Sequence, residues 1–362
     1  SDFIIKPIDG FGNREMIMQI LATERPDVIL LFTDPRFFIW FYEMEDEIRQ
    51  VCPVAYWHVW DNYPFPTFNL PIYEATDLIN CHSHMTYEMV SEHFPKKTNF
   101  IPHALPDEIF YPIKEEEIKN HKSQLMGDKS KDKFVLFWVN RNARRKRPAD
   151  LMWAWSIFMN KLKEEGKEND AILLLHTDPH DQEGPNLLAL ADHFQIHSSC
   201  YFSNQRIDFD KMNILHNISD ACINISYAEG FGLATLEAMK CGKPIIAVKT
   251  GGLTRQVVDH RDGSENGIAL EVDSQTLVGS QNVPFIWEDY ASINDISDAI
   301  YKMYSMGKEE RKKIGKKARE YVQAEFALQD TVDKWDQTLV KLVEDHKKSP
   351  VKRWICKELK GD

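Results

Sequence analysis

The chain has 362 residues, 43% of them hydrophobic and 28% charged, with a formal net charge of −12 at neutral pH. That length exceeds what one hydrophobic core usually serves, so two domains are expected. The acidic balance argues against long-range attraction to nucleic acid or to an anionic membrane.

Six cysteines, Cys52, Cys81, Cys200, Cys222, Cys241 and Cys356, are scattered without a C-x-x-C pair, a pattern of reduced thiols in a cytoplasmic protein. No run reaches the roughly 18 apolar residues of a membrane span, and "SDFIIKPIDG" has no charged segment followed by an apolar core, so neither an integral anchor nor secretion is expected. A doubly wound domain normally opens on a strand and a glycine-bearing turn, yet the first good strand comes only near residue 27. Some of the natural N-terminus is therefore expected to be missing.

From there short β-branched or aromatic runs alternate with helical-period segments. "DVILLF" (27–32), "VAYWHV" (54–59), "DLINC" (77–81) and "NFIPH" (99–103) read as buried strands, with an amphipathic helix over 84–93. Residues 107–133 are charged and poor in apolar pattern, and read as a linker or surface excursion. The alternation resumes with "KFVLFWVN" (133–140), a helix over 148–165, "AILLLH" (171–176), "CYFS" (200–203), "ACINIS" (221–226) and "PIIAV" (244–248). Residues 294–347 are almost wholly helical in period, with Trp335, Leu339 and Leu342 on one face. Such alternation implies parallel, doubly wound sheets, an α/β class. The domains expected are 1–110, a linker at 111–133, 134–325, and C-terminal helices at 326–362 that cross back to the first domain.

Three stretches carry chemistry. In "EGFGLATLEAM", Glu229 lies in the loop after a strand, Gly230 and Gly232 allow tight backbone geometry, and a helix follows from Leu233 to Lys240. Ligands of open α/β sheets bind at this edge, and the first helical amides suit a phosphate. Glutamates near helix N-termini also simply offset the macrodipole. In "VNRNARRKRP", Arg141, Arg144, Arg145, Lys146 and Arg147 crowd a strand end, which suits a polyphosphate or a solvated basic loop. In "YWHVWDNYPFP", five aromatics with His58 and Asp61 suit a sugar-stacking face, although a lone His after an apolar run is often structural. "DFD" (208–210) lies in a polar stretch before a helix, and "HTDPHD" (176–181) has no cysteine or helix-spaced His pair beside it, so no metal site is expected.

The first two stretches together resemble the retaining nucleotide-sugar glycosyltransferases of family four, which have the GT-B fold. Glu229 and Glu237 meet the family's Glu-x7-Glu pattern, and Arg141 and Lys146 its Arg and Lys five apart. "PDVILLFTD", "IPHALPDEIFYP" and "ISDACINISYAEGFGL" extend the likeness from about residue 27 to 336. The family's N-terminal glycine loop is not visible, and "NRNARRK" replaces the usual Gly-Arg.

The resemblance implies two Rossmann-like domains facing a cleft and a sugar moved from a nucleoside diphosphate donor to a glycan, glycoconjugate or other small acceptor. It places Glu237 on the ribose and Glu229, with His58 or Asp61 of the first domain, on the transferred sugar. Gly230, Phe231, Gly232, Leu233, Thr235 and Asn204 would line the donor site, and Arg141 and Lys146 would neutralise the diphosphate without a metal or other cofactor. A GT-B-like epimerase or phosphorylase, and a nucleotide-sugar-binding protein without turnover, are the alternative readings.

Overall fold

Short apolar runs build two parallel sheets, each in its own unit, with the inner strands buried on both faces. The computed structural model describes residues 3–349; Cys356 and the end of the expected C-terminal helical segment lie outside the described residues. Of the described residues, those up to Pro102, with Gly279–Phe285 and those from Gln329 to Ser349, form one unit, and His103–Val278 with Ile286–Leu328 form the other.

In the first unit, β1 (Ile29–Phe32), β2 (Val54–His58), β3 (Leu78–Cys81) and β4 (Thr98–Phe100) pair in that order, all parallel. Leu31, Tyr56 and Ile79 stand side by side across it and belong to one core with Leu21, Phe41 and Val90. The last helix, Leu328–Lys348, sets Trp335 edge-on to Trp57, with ring centroids 5.0 Å apart, and Asn80 Nδ2 donates to Thr338 Oγ1 at 3.2 Å.

The second unit holds β5 (Phe134–Val139), β6 (Ala171–His176), β7 (Cys200–Ser203), β8 (Ala221–Asn224), β9 (Ile245–Val248) and β10 (Gly267–Leu270). Their order, β10-β9-β8-β5-β6-β7, means that the chain winds outward from β5 on one side and then returns to wind outward on the other. Alternation along β5 sends Leu136 and Trp138 to one face, against Trp155, Phe158 and Ile300, and Val135 and Phe137 to the opposite face, against Leu215 and Ile218. The two strands at the reversal, β5 and β8, are direct neighbours, with Leu136 opposite Ala221. Loops at their carboxyl ends therefore converge where ligands of doubly wound sheets bind.

Two features depart from the sequence reading. Within the expected linker, Glu115–Met126 is a helix of the second unit. Three glutamates in its first turn offset the helix dipole, and its buried residue is Lys122, paired with Asp220 at 3.2 Å, so an ionic contact stands where an apolar stripe would signal a helix. β10, and an antiparallel pair of β11 (Ser274–Val278) and β12 (Ile286–Tyr290), lie in a stretch read without strands. β11 is exposed almost throughout, so no hydrophobic alternation marks it.

Phe158 is fully buried between Trp155 and Tyr304. Phe158→Ala is expected to lower the unfolding free energy by about 3–5 kcal/mol, measured by denaturant titration; a loss below about 1 kcal/mol would contradict the packing described.

Candidate active site at the reversal between β5 and β8

After β8, Asn224 Oδ1 accepts hydrogen bonds from the Ser226 amide at 3.0 Å and hydroxyl at 2.7 Å, folding the chain back so that Glu229 points into the sheet edge. Glu229 is 8% exposed. Its carboxylate accepts from Ser226 Oγ at 3.2 Å, makes a close ion pair with Lys146 Nζ, and lies 3.6 Å from Arg145 Nη1. Burial alone would raise its pKa, but the two cations more than offset that and hold it at about 2. The site thus contains an anion kept charged without solvent.

The glycine turn that follows is fixed from behind. Gly232 has φ +91°, and an added Cβ would fall 2.5 Å from Leu253 Cδ2. Gln256 Nε2 donates to the carbonyls of Phe231 at 2.6 Å and Gly232 at 3.1 Å. Gly252 donates its amide to Glu229 O at 2.8 Å and packs so tightly that a Cβ there would lie 2.4 Å from Gly230 O.

Thr235, expected to touch the donor, is fully buried, with Oγ1 2.6 Å from Gln256 Oε1 and 2.8 Å from Gly232 O. It braces the turn, bonding to both Gly232 and Gln256. Phe231 is also buried, edge-on to His103 and Phe326, whereas Leu233 is 45% exposed.

The basic loop is divided among several partners. Lys146 and Arg145 meet Glu229, and Arg145 Nη1 also donates to Ala228 O at 2.7 Å. Arg141, expected on the diphosphate together with Lys146, forks onto Asp181 at 2.7 and 3.2 Å and reaches Glu183 at 3.0 Å, on the loop after β6. Arg144 reaches Glu288 at 3.3 Å, and Arg147 turns inward to Asp150 at 2.7 Å. A freely solvated loop does not describe Lys146, whose side chain is only 12% exposed.

Glu237 lies on the same helix, where its carboxylate meets His216 Nε2 at 2.8 Å. His216 is wholly buried on the helix Phe209–Ile218; nothing in the sequence around it singles it out, since its partner is twenty-one positions away. Asn204 is exposed at the end of β7 and lines a cavity of about 440 Å³ with Arg141, Asn142, His176, Asp178 and Asp181. Asp208 sits at the start of the helix Phe209–Ile218. Burial lowers the His176 pKa, and His216 and Glu237 are close enough to act on it electrostatically, so this cavity and the Glu237 carboxylate are neighbours.

The first unit requires a correction. His58, expected to face a sugar, has no exposed surface; its Nε2 lies 2.7 Å from Tyr73 Oη, and burial together with His82 lowers its pKa to about 3. The strand that carries it is covered on both faces, so the ring joins the core as a neutral partner of Tyr73. Asp61 is half-buried in the loop beyond.

Residues 122–279 match the family Glycosyl transferases group 1. The chain carries a glycosyl transferases group 1 domain. It is similar to the N-acetyl-alpha-D-glucosaminyl L-malate synthase of Bacillus anthracis, with 25% identity over 286 residues, spanning 77% of this chain and 63% of that protein. A shorter segment of 45 residues is 47% identical to the D-inositol 3-phosphate glycosyltransferase of Arthrobacter sp. (strain FB24), 12% of this chain and 11% of that one. The chain thus covers less than two thirds of the length of these relatives.

The fold is GT-B, as in HepE of Anabaena solved in complex with UDP, with a TM-score of 0.69 at 15% identity over 90% of this chain and 82% of that one. Sucrose-phosphate synthase from Thermosynechococcus elongatus has a TM-score of 0.63 at 19% identity, over 92% and 76%. Both matches speak to the fold alone. No helix among the described residues is long and apolar enough to cross a membrane.

In this glycosyl transferases group 1 domain the Glu229 pair gives a pH signature. Its folded pKa lies below the unfolded value, so its stabilisation is complete above about pH 4.5 and is lost as the pH falls towards 2. Glu229→Gln should therefore cost about 3 kcal/mol at pH 7, and the gap to wild type should stay level down to about pH 4.5 and narrow from there towards pH 2 in denaturant titrations. A gap that stays constant over that range would contradict the assignment.

Proposed function

We propose that this chain is a retaining, metal-independent glycosyltransferase that moves a sugar from a nucleoside diphosphate donor to an acceptor hydroxyl. The observation that carries the reading is the buried, ionised Glu229 held against Lys146 at the strand reversal, with Glu237 eight residues further on. The group 1 domain spanning these residues, and the UDP bound to HepE, support the same donor class.

In this reading Glu237, oriented by His216, accepts hydrogen bonds from the ribose hydroxyls, and Glu229 those of the transferred sugar. The amides following Gly230 and Gly232 approach the sugar and diphosphate. Without donor, Lys146 and Glu229 neutralise each other. When donor enters, the ammonium gains the diphosphate and the carboxylate gains hydroxyls, so neither charge is left buried without a partner.

The sugar carbon–oxygen bond to the diphosphate breaks with its electron pair passing to the phosphate. The acceptor oxygen bonds to that carbon on the same face, and its proton passes to the departing phosphate oxygen. Lys146, with Arg145 and Arg141 from the same loop, stabilises the developing phosphate charge, each such donor contributing roughly 3 kcal/mol. Asn204 and the cavity after β7 lie on the nucleoside side. Acceptor binding is assigned to the first unit, where Tyr63 is exposed beside the half-buried Asp61.

The test is nucleotide release from a panel of nucleotide sugars, first without acceptor and then with candidate hydroxyl compounds, in the presence of a chelator. Lys146→Ala is expected to lower turnover by about 10²-fold or more with circular dichroism unchanged. Wild-type turnover in that variant, or activity lost in chelator and restored by a divalent ion, would contradict the proposal.

A further inference from the structure

The opposite edge of the second unit's sheet holds a second concentration of charge. A cavity of about 390 Å³ opens there, lined by ten lysine and arginine side chains and three carboxylates, in a chain whose overall charge is −12. Lys133 immediately precedes β5, Asp220 precedes β8 and Pro244 precedes β9, so the cavity lies at the amino ends of the strands whose carboxyl ends carry Lys146 and Glu229. With six residues in β5, the two edges are roughly 20 Å apart.

The carboxylates in the cavity are already shared. Asp220 serves Lys122 at 3.2 Å and Arg311 at 3.4 Å, and Glu115 serves Lys308 and Lys312. Lys243 and Arg319 direct donors to the backbone carbonyls of Asn217, at 2.7 Å, and Lys240, at 3.0 Å. Arg311 is 8% exposed, and its Nε has no hydrogen-bond partner among the described residues. Burial pushes the Lys243 ammonium down to about 8 despite the opposing pull of Asp220.

Cations gathered around a concavity repel one another, and the repulsion is relieved when a multiply charged anion enters. The volume suits a small molecule, and a mixture of arginine forks and lysine point charges suits phosphate oxygens. We propose that this cavity is a second ligand site, separate from the donor site, that binds a small anion carrying two or more phosphate groups, either free or as the headgroup of a lipid.

Inorganic tripolyphosphate is the probe, titrated calorimetrically into the full chain carrying Lys146→Ala, so that the donor loop has lost its central cation. Binding is expected to persist there and to weaken tenfold or more when Lys133→Ala and Lys312→Ala are added, with circular dichroism unchanged. Lys308→Ala with Lys316→Ala, on exposed positions of one helix, should do the same and guards against a folding defect in the first pair. Absence of binding in Lys146→Ala, or affinity unchanged by both pairs, would overturn the site. Sedimentation with vesicles containing phosphatidylinositol bisphosphate but not with phosphatidylcholine vesicles, lost in the same variants, would assign the anion to a lipid headgroup; tripolyphosphate binding without sedimentation would assign it to a free phosphorylated molecule.

Discussion

A carboxylate removed from water must find positive charge, and here the loop that follows the neighbouring strand supplies it. Glu229 leaves β8, Lys146 and Arg145 leave β5, and the reversal of strand order makes those two strands adjacent. The ion pair is thus a consequence of topology: insert a strand between β5 and β8 and the desolvated charge would be stranded, at a cost of several kcal/mol. The same adjacency brings a basic loop and a glycine turn to one edge, which is the arrangement a diphosphate joined to two hydroxyl-rich rings requires.

The turn has to hold its shape for that arrangement to work, and it is held by buried residues behind it. Gln256 caps two carbonyls, Thr235 holds Gln256, and Gly252 allows the next loop to come within van der Waals range of Gly230. His216 does for Glu237 what Lys146 does for Glu229, presenting a carboxylate in a chosen orientation. Such support fixes the groups before a ligand arrives, so little reorganisation remains to be done during a reaction.

Strands buried on both faces announced themselves in the sequence, because nothing but a run of apolar residues survives there: "AILLLH" coincides with β6, and "ACINIS" and "PIIAV" contain β8 and β9. The helix after the glycine turn was equally legible from its flanking glycines. β11 was not, being polar and exposed, and the helix Glu115–Met126 was hidden because its buried contact is ionic. At the site, spacing singled out Glu229, Glu237 and Lys146, but other pairings around the site were not legible. Arg141 finds Asp181 forty positions away, His216 finds Glu237, and His58 finds Tyr73 inside the core. Those pairings depend on which strands become neighbours, and no local pattern encodes that.

The proposed donor roles are divided between two carboxylates, Glu229 on the loop and Glu237 on the helix. Calorimetric titration of UDP, GDP and ADP into Glu229→Gln and Glu237→Gln tests this division most directly, because a nucleoside diphosphate carries the ribose but not the transferred sugar. Glu237→Gln should lose roughly 1 to 3 kcal/mol of affinity for whichever nucleoside diphosphate the wild type binds. Glu229→Gln should keep that affinity or gain, since Lys146 is then free to meet the diphosphate. Affinity lost in Glu229→Gln and retained in Glu237→Gln would contradict the assignment.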